Sequence, residues 1–191
     1  DMSAVTSNIT VTMTSTEAGN VTSGTNSISF TEVERLVTGT GADTIFGGVG
    51  TGPMWVDAGA GADRIVTGSG ADNLIGGAGN DTLIGGAGND NIYGGSESDL
   101  IQFSSGWGND LIVGGESAGD FDHLDFFTVT SGLTLTFRGI EMGTVTDGTN
   151  IANFSEIERF TLGSASDVVF GGSSSAAMYV ETYGGNDTAT G

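Results

Sequence analysis

Five aspartates, Asp63, Asp72, Asp81, Asp90 and Asp99, stand nine residues apart, and each closes a glycine-rich bend. The copies read AGAGADRIV (58–66), TGSGADNLI (67–75), GGAGNDTLI (76–84), GGAGNDNIY (85–93) and GGSESDLIQ (94–102). TGTGADTIF (38–46) precedes them with Asp43, and SGWGNDLIV (105–113) follows with Asp110 after a two-residue slip. A period this short and this regular leaves few architectures open. Each copy is a bend, an aspartate and a short strand whose second residue is large and apolar: Ile45, Ile65, Leu74, Leu83, Ile92, Ile101 and Ile112. Neighbours in a strand point to opposite faces, so this residue is predicted to face inward.

A second repeat is longer. Residues 1–67 align with 125–191 without a gap, at 26 identical positions. FTEVERL (30–36) matches FSEIERF (154–160), and Asp43, Met54 and Asp63 match Asp167, Met178 and Asp187. The chain therefore reads as about one and a half units of a tandem array, and its two ends suggest an excised portion of something larger. Four stretches are expected: 1–37 as a β segment leading into the roll, 38–113 as the roll, 114–130 as its exit, and 131–191 as a truncated second copy. Alternation at Ile9, Val11 and Met13, and again at Leu133, Leu135 and Phe137, reads as β. No segment has helical periodicity, so the fold class is all-β.

The balance of 24 acidic against 4 basic residues, a net charge of −20, argues against nucleic acid and anionic lipid as partners. It favours cations. Without cysteine there is no disulfide, thiolate metal site or thiol nucleophile. No apolar run reaches the roughly 20 residues that span a bilayer.

Two nine-residue copies make one coil, so bends 18 residues apart stack about 4.8 Å from each other. Asp63 then approaches Asp81, Asp72 approaches Asp90, Asp81 approaches Asp99, and Asp90 approaches Asp110. At about 5 Å two carboxylates repel by roughly 3 kcal/mol at an effective dielectric near 20. Several such contacts rival a domain's whole stability of about 5–15 kcal/mol. A divalent ion between bends reverses that sign. Calcium suits the available donors, carboxylates and the carbonyls that glycine bends turn inward, because it takes six to eight oxygens. Folding and binding become one event.

GGAGNDTLIGGAGNDNIYGG resembles the RTX (repeats-in-toxin) nonapeptide, glycine-glycine-x-glycine-x-aspartate-x-large apolar-x. The strong match covers 58–93, and weaker copies extend it to 38–113. The resemblance implies a right-handed parallel β-roll with several calcium ions between its turns. It also implies a bacterial protein exported by type I secretion that folds on extracellular calcium, at the cell surface or beyond it. The ligand role transfers to Asp63, Asp72, Asp81 and Asp90 with turn glycines Gly59, Gly61, Gly68, Gly70, Gly77, Gly79, Gly86 and Gly88. It extends more weakly to Asp43, Asp99 and Asp110. GGVGTGPMWV (47–56) has lost its aspartate, which puts calcium in doubt there. Glu97 replaces a turn glycine, adding a carboxylate or spoiling the bend. Asp120, Asp122 and Asp125 read as turn residues before ligands, and His123 as a surface or turn residue.

The apolar residues after each inward position, Phe46, Val66, Ile75, Ile84, Tyr93 and Val113, are expected to lie under a covering flank, 1–36 or 120–160. Glu32, Glu34 and Arg35, repeated as Glu156, Glu158 and Arg159, read as local ion pairs and not as a catalytic carboxylate pair. The leading function is a non-enzymatic, calcium-binding structural module of a large secreted or surface repeat protein, with neighbouring copies of the repeat as partners. The alternatives are an accessory module of an exported protease, lipase or epimerase, or a polysaccharide-binding adhesin module presenting Trp55 and Trp107.

Overall fold

A computed structural model describes residues 1–15, 17–48, 52–172 and 178–191. Among them the only regular elements are strands. A hairpin triplet comes first: β1 (Thr10–Met13), β2 (Gly19–Ser23) and β3 (Asn26–Phe30). Short strands follow, one per half-coil: β4 (Arg35–Val37), β5 (Thr44–Phe46), β6 (Trp55–Asp57), β7 (Arg64–Val66) and β8 (Asn73–Ala78). The series goes on through β9 (Thr82–Ile84), β10 (Asn91–Ser96), β11 (Leu100–Gln102), β12 (Asn109–Val113) and β13 (His123–Asp125). A second triplet is β14 (Thr134–Gly139), β15 (Met142–Thr146) and β16 (Ile151–Ser155). The last four are β17 (Arg159–Thr161), β18 (Val168–Phe170), β19 (Tyr179–Glu181) and β20 (Thr188–Thr190).

Successive half-coils alternate between two sheets, ordered β19-β17-β13-β11-β9-β7-β5-β1-β2-β3 and β20-β18-β14-β15-β16-β12-β10-β8-β6-β4. Pairing between coils is parallel, and only the hairpins are antiparallel. This is a β-roll. In the regular region the register is the eighteen-residue coil that the sequence period predicts, with Arg64 opposite Thr82 and Asn73 opposite Asn91.

The inward row follows from that register. Ile45, Ile65, Leu83, Ile101, Leu124 and Phe160 stack on one sheet, and Val56, Leu74, Ile92, Ile112 and Phe154 on the other. All are buried. Each contributes about 1.5–3 kcal/mol by leaving water.

The longer coil between Phe103 and Asp110 is filled by aromatics. Trp107 is 1% exposed and meets Phe103 and Phe126 edge-on, while Phe103 and Phe126 stack at 4.3 Å. Trp107 is therefore core and offers no face to a glycan. Trp55 is half-buried beneath the Arg35 guanidinium, 3.7 Å from its ring.

The outward row contradicts the expected cover. Phe46 is 42% exposed, and Val66, Ile75, Ile84, Tyr93 and Val113 are half-exposed. The flanks extend the roll end-on instead of lying over it, because β1 pairs with β5 and β16 with β12 within the same sheets. The apolar residues of that row satisfy β propensity on a half-exposed surface.

Candidate metal centre

The bends form ladders of aspartates. Along one edge the Asp43 N–H donates to Asp63 Oδ1 at 2.6 Å, Asp63 to Asp81 at 2.7 Å, Asp81 to Asp99 at 2.8 Å and Asp99 to Asp122 at 2.8 Å. The Asp122 N–H ends the series on Glu158 Oε2 at 2.8 Å. Along the other edge Met54 donates to Asp72 at 2.7 Å, Asp72 to Asp90 at 2.8 Å and Asp90 to Asp110 at 2.9 Å. All four predicted neighbour pairs are adjacent rungs. Met54 stands where the aspartate is missing and supplies only its N–H.

One oxygen of each carboxylate is thus used to tie coil to coil. The other is left over. The Oδ2 atoms of Asp63, Asp72, Asp81, Asp90, Asp99, Asp122 and Asp167 are buried without a hydrogen-bond partner. Buried polar atoms are almost always satisfied, so a row of orphans calls for a ligand. Those of Asp81, Asp90, Asp99 and Asp122 lie beside the first glycine of their own bends, Gly76, Gly85, Gly94 and Gly114. A Cβ built on Gly76 would run into Asp81 Oδ2 and lie 2.6 Å from the Gly94 carbonyl oxygen of the next coil. The same holds at Gly94 for Asp99 Oδ2 and the Gly114 carbonyl at 2.5 Å. Carboxylate and carbonyl oxygens of successive coils therefore converge where glycine leaves room. Thr38 and Thr67 take the first place in their bends, and their hydroxyls donate to the next-coil carbonyls of Ala58 and Gly85, both at 2.7 Å.

Among the described residues no three acidic, histidine or cysteine side chains gather closely enough to hold a metal alone. Any ion here must draw most of its shell from carbonyls. That donor set is all oxygen, which fits a hard cation of variable geometry.

Glycine geometry shapes the bends. Gly59, Gly61, Gly77, Gly79, Gly86 and Gly88 all adopt positive φ, from 91° to 133°. A Cβ at Gly77 would strike the Gly59 carbonyl of the preceding coil. Gly70 lies outside the positive-φ region yet is just as tightly approached by Gly52. Glu97 does not spoil its bend. It takes the left-handed conformation itself, φ 76°, and its charge adds to the field on Asp81.

Burial dominates the electrostatics. It pushes Asp63 and Asp90 up to about 6, Asp81, Asp110 and Asp122 to about 7, and Asp99 to about 8. Backbone N–H donors oppose the rise, and neighbouring carboxylates add to it. Asp72 and Asp167 move the same way for the same first reason. Without a cation these groups are harder to ionise than a solvated carboxylate, Asp99 most of all.

The sequence understates two residues. Asp122 is fully buried and continues the ladder after a coil of 23 residues, from Asp99. Its signal was the Gly114–Gly115 pair and the apolar Leu124 two places on. Asp167 holds the same place in the second copy as Asp43 does in the first. Asp120 accepts the Ser117 N–H within its own turn. His123 lies in strand β13, half-buried, with Nε2 2.8 Å from Thr161 Oγ1. Burial and Arg159 depress its pKa. The arginines do not pair with the glutamates beside them. Arg35 reaches Asp57 at 4.0 Å and Arg159 reaches Glu181 at 3.3 Å, each one coil onward.

The family described as the RTX calcium-binding nonapeptide repeat matches four times, at residues 31–51, 55–74, 66–101 and 103–118. Residues 31–118 are an RTX repeat array. Calcium is accordingly the ion of these turns, and the RTX repeat is a structural, calcium-binding module and not a catalytic family. No curated protein matches the chain. No helix among the described residues is long and apolar enough to cross a membrane.

Proposed function

We propose that the RTX array serves as a calcium-dependent structural segment of a bacterial protein that works outside the cell and has no catalysis of its own. The observation that carries this is the run of buried, unpartnered Oδ2 atoms at successive bends from Asp63 to Asp99, beside inward carbonyls. In this reading Asp63, Asp72, Asp81, Asp90, Asp99 and Asp110 hold calcium together with carbonyls of the glycine bends, and Asp122 joins them. Asp43 caps the ladder toward the first hairpin, where its Oδ1 accepts the Ile9 N–H at 2.8 Å. When bound, calcium neutralises carboxylates whose ionised form burial disfavours.

The chain's own residues do the rest. Each aspartate clamps the coil before it through Oδ1, so the ligand row and the coil spacing are set by the same side chain. A chain like this stays expanded where calcium is scarce, which suits export, and coils up where calcium is abundant. The buried Trp107 gives the glycan-binding alternative no support.

Titrating the metal-free chain with calcium at neutral pH, followed by circular dichroism and calorimetry, tests the proposal. Several ions per chain and a rise in β signal are expected. Asp81→Asn together with Asp99→Asn should lower both the stoichiometry and the rise. Unchanged stoichiometry in that double variant would remove these aspartates from the ligand set.

A further inference from the structure

The two copies of the long repeat share structure in detail. β1–β7 recur as β14–β20, displaced by 124 residues. Glu32 and Glu156 both take φ 59°. The Met2 N–H meets the Val37 carbonyl as the Phe126 N–H meets that of Thr161, both at 2.8 Å.

Their surroundings differ on one side. The second hairpin is joined to the coil before it: β16 lies parallel to β12 with Phe154 opposite Ile112, and the Ile151 N–H donates to the Gly108 carbonyl at 2.8 Å. Next to it β17 lies parallel to β13, and the Glu158 carboxylate accepts the Asp122 N–H. Among the described residues, β3 pairs only with β2, and β4 only with β6. Residues that the internal seam covers are open here. Ile28 is 67% exposed whereas its counterpart Ala152 is 0% exposed. Glu34 is exposed whereas Glu158 is half-buried.

We infer that the β3–β4 edge is the seat of a second copy of this unit, joined in tandem on the N-terminal side. Strands equivalent to β12 and β13 lie parallel on it in the register of the internal seam, with the Ile112 equivalent facing Phe30. The edge offers more than the bare main-chain template of any free strand. Glu34 stands ready for an aspartate N–H, and Ile28 completes an inward row. The opposite end of the molecule, β19 and β20, corresponds to β6 and β7, whose next neighbours are β8 and β9. It does not match this seat, so the contact joins tandem units and does not make free chains associate.

The seam also fixes the geometry of an array. β1, β5 and β7 lie in one sheet, whereas their counterparts β14, β18 and β20 lie in the other. Each unit thus exchanges sheets with the next, which is a half-turn about the roll axis. A sheet gains eight strands from one unit (β3, β2, β1, β5, β7, β9, β11, β13) and five from its neighbour. Thirteen strands per two units at about 4.8 Å give a rise of about 31 Å per unit.

Asp1 stands where Asp125 stands, so placing residues 68–124 directly before Asp1 rebuilds the seam. In calcium, amide exchange at residues 27–31 is expected to slow at least about a hundredfold relative to the unextended chain, to the level of residues 151–155. X-ray scattering should show the particle about 14 Å longer, from three added coils. Equal exchange at 27–31 in the two chains, or a flexible tail in scattering, would overturn the inference. Protection of residues 151–155 in both chains shows the calcium-loaded roll intact, so this failure is distinguishable from a failure of calcium binding.

Discussion

Strands β5, β6 and β7 and their counterparts β18, β19 and β20 have related sequences and the same pairing to the strands before them, yet they live in different places. Ile45, Val56 and Ile65 are 0% exposed. Their counterparts Val169 and Val180 are half-exposed, and Ala189 is exposed. Asp63 is 2% exposed and its carboxyl is pushed up to about 6, whereas the matching Asp187 is exposed. What separates them is the next coil. β8 and β9 cover the first set, and among the described residues no coil stacks on the second. In a roll each unit contacts only its neighbours, so burial is conferred by the coil that follows and is no property of the strand itself. The electrostatics follow the same coil, since burial is the first cause of the raised Asp63 pKa.

Calcium removal should enlarge that contrast most. With calcium, hydrogen exchange is expected to be slowest across β7–β12 and fastest across β18–β20. Chelation at pH 7.5 should abolish protection in the interior, a loss of several kcal/mol of local stability. It should change β18–β20 least. A far-UV β signal that survives chelation unchanged would contradict the role given to the ladder.

Acid should partly replace calcium. Asp81, Asp99, Asp110 and Asp122 have folded pKa values of about 7 to 8, above the unfolded value near 4. The folded chain therefore holds more protons than the unfolded chain between about pH 4 and 8, and stability falls as pH rises through that window. The metal-free roll is expected to be most stable near or below pH 4 and to melt progressively toward pH 8, while calcium binding weakens toward acid. Thermal melts of the metal-free chain at pH 4.5, 6 and 7.5 measure this. A melting temperature that climbs with pH would reverse the assigned electrostatics.

Much of this was legible in the sequence because the dominant constraint is periodic. Nine-residue spacing gives the coil, the inward row and the neighbour pairs Asp63–Asp81 and Asp72–Asp90. It fails where the period breaks. Coils of 20 and 23 residues bring Asp110 and Asp122 back into line, and no count in nines finds Asp122. The glycine expected at position 97 of an ideal bend is replaced by a glutamate that also takes a positive φ, which only the backbone reveals. The exchange of sheets between copies depends on the parity of half-coils across a hairpin, a global count that local patterning does not contain. Arg35 and Arg159 find partners one coil onward, at a distance set by stacking and not by sequence neighbours.

Packing gives a smaller contrast. Ile65→Ala empties a fully buried site and should cost about 2–5 kcal/mol in calcium. Val180→Ala, at a half-exposed site, should cost under about 1 kcal/mol. Urea unfolding of both variants compares them. Equal costs would mean that the terminal coil is as well covered as the interior.

The finest contrast lies in the two arginines. Arg35 sits 3.7 Å above the Trp55 ring and 4.0 Å from Asp57, so its contact is mainly with the aromatic face. Arg159 is 5.7 Å from the Tyr179 ring but 3.3 Å from Glu181, so its contact is mainly an ion pair at the surface. The Arg35 contact should be worth under about 1 kcal/mol, and the Arg159 pair, at the surface, less than that contact. Salt separates them, because at about 1 M the screening length shrinks to about 3 Å. The loss from Arg159→Ala should largely vanish in 1 M sodium chloride, whereas the loss from Arg35→Ala should persist, since stacking on tryptophan includes desolvated contact that ions do not screen. Costs that fade together with salt would make both arginines simple ion pairs, and the substitution of Trp55 by Tyr179 between copies would then have no electrostatic consequence.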